Sequence, residues 1–175
     1  MIQRILVAVD RGEASRAAVD HAIDLARICG ARLRLLHLLD ELKLAPGFET
    51  YGAQSEEVFR MIRESGRGLL EGHRSRIAAA GVPVDAVLVE GFGRQLSEAI
   101  ADNATAWHAD LIVVGTEGRS GLKLLLHGSD AQAVARSAPV PVMMVRARPR
   151  GADGGGGLAR PHADASGLSP MFAFD

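Results

Sequence analysis

The sequence predicts an α/β domain built on a single doubly wound five-stranded parallel sheet, with helices on both faces. Five short apolar runs carry that expectation: Ile5 to Val9, Leu33 to Leu39, Val84 to Val89, Leu111 to Val114 and Val140 to Val145. Most are continuous rather than alternating, the pattern of strands buried on both faces. The segments between them have helical period, and strands alternating with helices imply βαβ units with right-handed crossovers. The chain has 175 residues, 47% of them hydrophobic, enough for one domain with a sizeable core and a short extra segment.

Each element has its own signals. The first strand stops at Asp10, a carboxylate just past the end of an interior strand, where open α/β sheets bind ligands. A turn or helix cap is the alternative role for the same residue. Glu13 to Cys29 carries Ala18, Ala22, Leu25 and Cys29 at helical spacing, and Gly30 follows as a stop signal. His37 interrupts the leucines of the second strand and reads as a hydrogen-bonded core residue. Residues 41–55 contain Pro46, Gly47 and Gly52 without a clear period, and read as a mobile connection able to lie over a ligand crevice. From Glu56 to Ala80, Val58, Ile62, Leu69, His73, Ile77 and Ala80 fit one helical face. Gly66, Gly68 and Gly72 each weaken that helix by about 1 kcal/mol against alanine, so a bend or fraying is expected in its middle.

Gly81, Val82 and Pro83 break the chain before the third strand. Gly91 and Gly93 form a GxG with no third glycine at dinucleotide spacing, hence a strand-to-helix turn without functional weight. Leu96, Ala99, Ile100, Asn103, Ala104 and Trp107 recur at three and four, giving a third helix that ends near His108. Trp107 reads as core or domain edge. Ala131, Val134, Ala135 and Ala138 form the inner face of a fourth helix, which Pro139 ends. Pro141 argues that the last strand lies at an edge, because proline cannot donate to a ladder, and an exposed edge invites pairing with a second copy of the chain. The domain is expected over residues 1–146. Residues 147–175, with Gly154 to Gly157 in a row, read as a Gly-rich flexible tail.

Twenty basic against twenty-one acidic residues give a formal charge of -1, so nothing global attracts nucleic acid or an anionic membrane. The single cysteine, Cys29, excludes an internal disulfide framework or a multi-cysteine zinc site and suits a reducing compartment. The N-terminal apolar run is too short for a signal peptide or membrane span, which points to a cytoplasmic protein. The histidines are scattered rather than set at metal-ligand spacing, and no metal site is expected. No nucleophile stands with a base and no carboxylates are paired. No catalytic residue is assigned, and slow ATP hydrolysis is the most that the sequence suggests.

The chemistry concentrates between Leu111 and Ala138. There Gly115, two residues, Gly118, nine residues, Gly128 and Ser129 follow the fourth strand. Glycine takes positive φ and has no Cβ to hold a ligand away, while the following helix offers unpaired N–H groups and a positive dipole end. Ser129 would add a hydroxyl and Arg119 paired bonds to phosphate oxygens. Asp10 would accept hydrogen bonds from an adenine amino group or ribose hydroxyls. Spacing alone does not make Asp10 and Gly115 neighbours; that needs strands one and four side by side.

These residues resemble the universal stress protein family, marked by G-x2-G-x9-G-[ST] after the fourth strand and an Asp closing the first. The similarity covers Met1 to Arg146 and includes GRSGLKLLL and the ending SAPVPVMMVR. The resemblance implies sheet order 3-2-1-4-5, dimerisation through the fifth strand, Val140 to Val145, and, in one branch, ATP binding, with or without Mg²⁺. It places Asp10 and the backbone of Leu38 at the adenosine, and Gly115, Gly118, Arg119, Gly128 and Ser129 around the ribose and phosphates. The implied function is a nucleotide-dependent, dimeric regulatory module of the stress response. A non-nucleotide interaction module of the same fold, its glycine loop only structural, is the alternative. Glu117 and Asp130 depart from the family pattern and bring negative charge toward the phosphates. A carboxylate ~4 Å from a phosphate charge at an effective dielectric of ~20 costs about 4 kcal/mol, so modest ATP affinity is expected.

Overall fold

The computed structural model describes residues 1–40, 55–91, 93–116 and 129–147. In chain order these form β1 (Arg4–Ala8), α1 (Glu13–Cys29), β2 (Arg32–Asp40), α2 (Ser55–Ala79), β3 (Val84–Gly91), α3 (Leu96–Trp107), β4 (Leu111–Thr116), α4 (Ser129–Ser137) and β5 (Val142–Arg146). The five strands make one parallel sheet in the order β3-β2-β1-β4-β5. From β1 the chain steps outward to β2 and β3, then returns across β1 to β4 and β5. Right-handed crossovers therefore put α1 and α2 on one face and α3 and α4 on the other.

The two core clusters follow this division. Ile5, Val7, Leu33, Leu35 and Val113 pack with α1 and α2, whereas Leu6, Leu36 and Ile112 pack with Ile100, Ala104 and Val134 of α3 and α4. That is why the central strands are unbroken apolar runs: every residue of Ile5-Leu6-Val7 is fully buried. Each such side chain contributes roughly 1.5–3 kcal/mol on burial. Cys29 packs against the α1/α2 cluster. Trp107 packs against the other, with the Arg34 guanidinium 4.7 Å from its ring centroid. Arg34 is held there by paired bonds to Asp85, at 2.6 and 2.9 Å.

α1 ends at Gly30 in the left-handed conformation (φ 66°), and α3 ends the same way at His108 (φ 54°), as the sequence suggested for both boundaries. α2 differs from expectation, being one continuous helix of 25 residues. Its first glycine explains part of this. A Cβ on Gly66 would stand 3.0–3.2 Å from Leu39, Leu88 and His37, so this glycine lets the helix lie close on the sheet. Burial of Leu70 and Ile77 offsets the lost helix propensity.

β5 lies at the sheet edge, but begins at Val142 rather than Val140. Pro141 stands just before it and joins the ladder only as an acceptor, its carbonyl taking the Ile112 N–H at 3.0 Å. β4 runs two residues past Val114, because Gly115 and Thr116 still pair with Val145 and Arg146. At the opposite end of the sheet Asp110 joins the amino ends of β4 and β1. Its Oδ2 accepts the N–H groups of Gln3 (2.8 Å) and Arg4 (2.9 Å), and its own N–H donates to the Arg4 carbonyl at 2.8 Å.

Candidate functional site

β1 and β4 are neighbours, paired up to Ala8 and Val114. Their carboxyl ends form the topological switch point, with β2 on one side of β1 and β4 on the other. Asp10 and Gly115 therefore stand at the same end of adjacent strands.

Asp10 builds the β1–α1 turn. Its Oδ1 accepts the Gly12 N–H at 2.7 Å, and its N–H donates to the buried Ser15 Oγ at 2.9 Å. The turn-forming alternative is thus realised, yet the carboxylate is exposed and its Oδ2 has no hydrogen-bond partner among the described residues. Two histidines stand beside the turn. His37 Nδ1 lies 2.8 Å from the Val9 carbonyl; a carbonyl only accepts, so Nδ1 carries the proton. His73, on α2, lines the groove beside the Asp10 turn. Burial first, and then the Arg16 guanidinium, hold the His73 pKa below its ordinary 6.5, so the ring is neutral at pH 7.

Leu38 sits near the end of β2. The Leu36 carbonyl accepts the Val9 N–H, so the main chain of Leu36 faces β1. By strand alternation Leu38 faces the same way, two residues further on and beyond the last residue of β1. Gly115 has a packing reason to be glycine. A Cβ there would collide with the Ala14 carbonyl and stand 2.7 Å from the Ser15 nitrogen, so β4 passes directly against the first turn of α1. Ser129 is the first residue of α4. Gly118, Arg119, Gly128 and Glu117 lie outside the described residues, as do the 41–54 connection and the segment from 148 on.

Sequence reasoning missed a groove between α1 and α2 beside Asp10. It has a volume of about 540 Å³, and Arg11, Arg16, His73 and Arg76 are among its lining residues. These positions come together only because α1 and α2 lie on the same face of the sheet. The available signal was the pair Gly68 and Gly72, one helical turn apart.

The family model described as the universal stress protein family matches residues 1–146. The chain belongs to the universal stress protein family. It is 30% identical over 151 residues to the universal stress protein YxiE of Bacillus subtilis, covering 83% of this chain and all of that one. Among solved structures, a universal stress protein family member from Burkholderia pseudomallei is 29% identical with a TM-score of 0.65, over 82% of this chain and 96% of that one. A universal stress protein from Archaeoglobus fulgidus, solved in complex with dAMP, shares the fold at 24% identity and a TM-score of 0.56, over 83% of this chain and 99% of that one. Among the described residues of this universal stress protein, no helix is long and apolar enough to cross a membrane.

Proposed function

We propose that this universal stress protein is an adenine-nucleotide-binding regulatory module, with ATP as the first ligand to test, bound at the carboxyl ends of β1 and β4. The observation that carries the reading is the side-by-side end of these strands, with an exposed Asp10 carboxylate oxygen available at the switch point. Solved proteins of this fold hold dAMP, AMP and cAMP, which supports an adenine nucleotide as the ligand class. In this reading Asp10 and the Leu38 backbone hold the adenosine, and Gly118, Arg119, Gly128 and Ser129 surround the phosphates. Gly115 contributes by letting β4 close onto α1. Mg²⁺ accompanies ATP as its usual counterion. The β5 edge, with Met144 exposed, is the surface for pairing two copies, and the cytoplasm is the proposed compartment.

The test is direct. Freshly purified protein is expected to carry absorbance near the nucleotide band or to release heat on titration with ATP and Mg²⁺. Neither bound nucleotide nor heat at millimolar ATP would overturn the reading. One observation favours a second reading, an interaction module without nucleotide: Gly115 is explained by packing against α1 alone. That reading predicts that Gly118→Val leaves the dimer and every measurable binding activity intact.

A further inference from the structure

We propose a second anion site in this protein: the groove between α1 and α2 takes a small phosphate-bearing molecule. The groove, of about 540 Å³, falls within the usual range for small-molecule clefts. Arg11, Arg16 and Arg76 line it, together with Ser65. Arg11 donates to Ser65 Oγ and Arg76 is paired with Asp20. Arg16 has no carboxylate partner among the described residues. Among the described lining residues three guanidinium groups stand with one carboxylate, that of Asp10, and with Asp20 paired to Arg76 one positive charge is left over. Guanidinium forks match phosphate oxygens in geometry as well as charge.

On the α2 side the groove is lined by Ser65, Leu69, His73 and Arg76, with glycine at two positions, Gly68 and Gly72, where a side chain would have room. A Cβ on Gly68 or Gly72 would meet nothing within 4 Å, whereas Gly66 is pressed against the sheet. Packing therefore favours glycine at Gly66 and gives no reason for it at Gly68 and Gly72. Glycine inside a helix is destabilising, so the two glycines that keep space open beside a basic groove are what needs explaining. A bound anion explains both the glycines and the unbalanced arginine. The groove borders Asp10 but lies on the α1/α2 face, while α4, which begins at Ser129, covers the other face. The two sites share Asp10, and the test therefore rests on Arg16, Gly68 and Gly72, which line the groove alone.

Inorganic pyrophosphate is the probe, titrated into the isotope-labelled full chain while amide shifts are followed. Shifts are expected at Arg16, Gly68 and Gly72. Arg16→Gln should weaken pyrophosphate about tenfold, the effect of one charge-assisted contact, while leaving ATP affinity unchanged. Gly72→Leu, a better helix former that fills the groove, should remove pyrophosphate binding without lowering the unfolding midpoint. Three results would overturn the proposal: no shift at about 10 mM pyrophosphate, far above any useful dissociation constant; shifts confined to Gly115 and Ser129; or a folded Gly72→Leu chain with unchanged pyrophosphate affinity. Loss of ATP binding with pyrophosphate retained in the groove bears on the nucleotide reading alone.

Discussion

The pair β1 and β4 carries an aspartate at each end, and the two are used differently. At the amino end, Asp110 reaches across to the neighbouring strand, and one oxygen takes the N–H groups of Gln3 and Arg4, more than a hundred residues away. At the carboxyl end, the bond of Asp10 is local, to Gly12 two residues on. The first aspartate ties the two strands together, and the second shapes the β1–α1 turn, with no side-chain bond to β4 among the described residues. One residue type, on one strand pair, thus serves stability at one end and leaves capacity for a ligand at the other. The Asp110 pKa reflects this: the Gln3 N–H first and the Arg4 N–H second hold it below its ordinary 3.8.

The largest expected effect lies at the carboxyl end. Gly115→Val should destabilise the fold by about 3 kcal/mol, since backbone atoms of Ala14 and Ser15 occupy the space the new side chain needs. A urea midpoint equal to wild type would show that α1 can move aside at little cost. Next, Asp110→Ala should cost about 1–2 kcal/mol, in the range of losing a helix-cap carboxylate, and leave nucleotide affinity untouched. Equal losses of nucleotide affinity in Asp110→Ala and Asp10→Ala would erase the distinction between the two ends.

The acid limb of stability is a smaller effect. A carboxylate with a depressed folded pKa stabilises above its unfolded value near 3.9, and that stability is lost as pH falls through the folded value. Asp110→Asn should therefore flatten the stability-pH curve below about pH 4. His73 gives the smallest term. Its folded pKa lies below 6.5, so the neutral ring favours the fold above that pH, and stability declines as pH falls from 6.5 through the folded value. Replacing His73 by Gln should remove the dependence in that window; an unchanged slope would mean that another group titrates there.

The fold was legible because it rests on repeating local signals. The doubly buried strands read as unbroken apolar runs, and Gly30 and His108 stand where the periodic segments stop. What was not legible is set by distance in the chain. Nothing in the sequence near Gly66 says that Leu39, Leu88 and His37 lie against it, so its helix was expected to bend. Nothing near Arg16 says that His73 and Arg76 share its groove. Strand lengths shifted by a residue or two for a similar reason, because whether Gly115 or Val140 belongs to a ladder depends on the partner strand. In the candidate site Asp10 was readable as a chemical group at a strand end, but its bond to Gly12 and the packing role of Gly115 required the turn itself.

The central claim is that the carboxyl end of this strand pair binds an adenine nucleotide through Asp10 while the amino end only holds the strands together. Calorimetric titration of ATP into wild type, Asp10→Ala and Asp110→Ala tests it most directly. Wild type and Asp110→Ala are expected to bind alike, and Asp10→Ala at least about tenfold more weakly, the loss of one hydrogen bond to a charged group. Binding by Asp10→Ala equal to wild type would contradict the account.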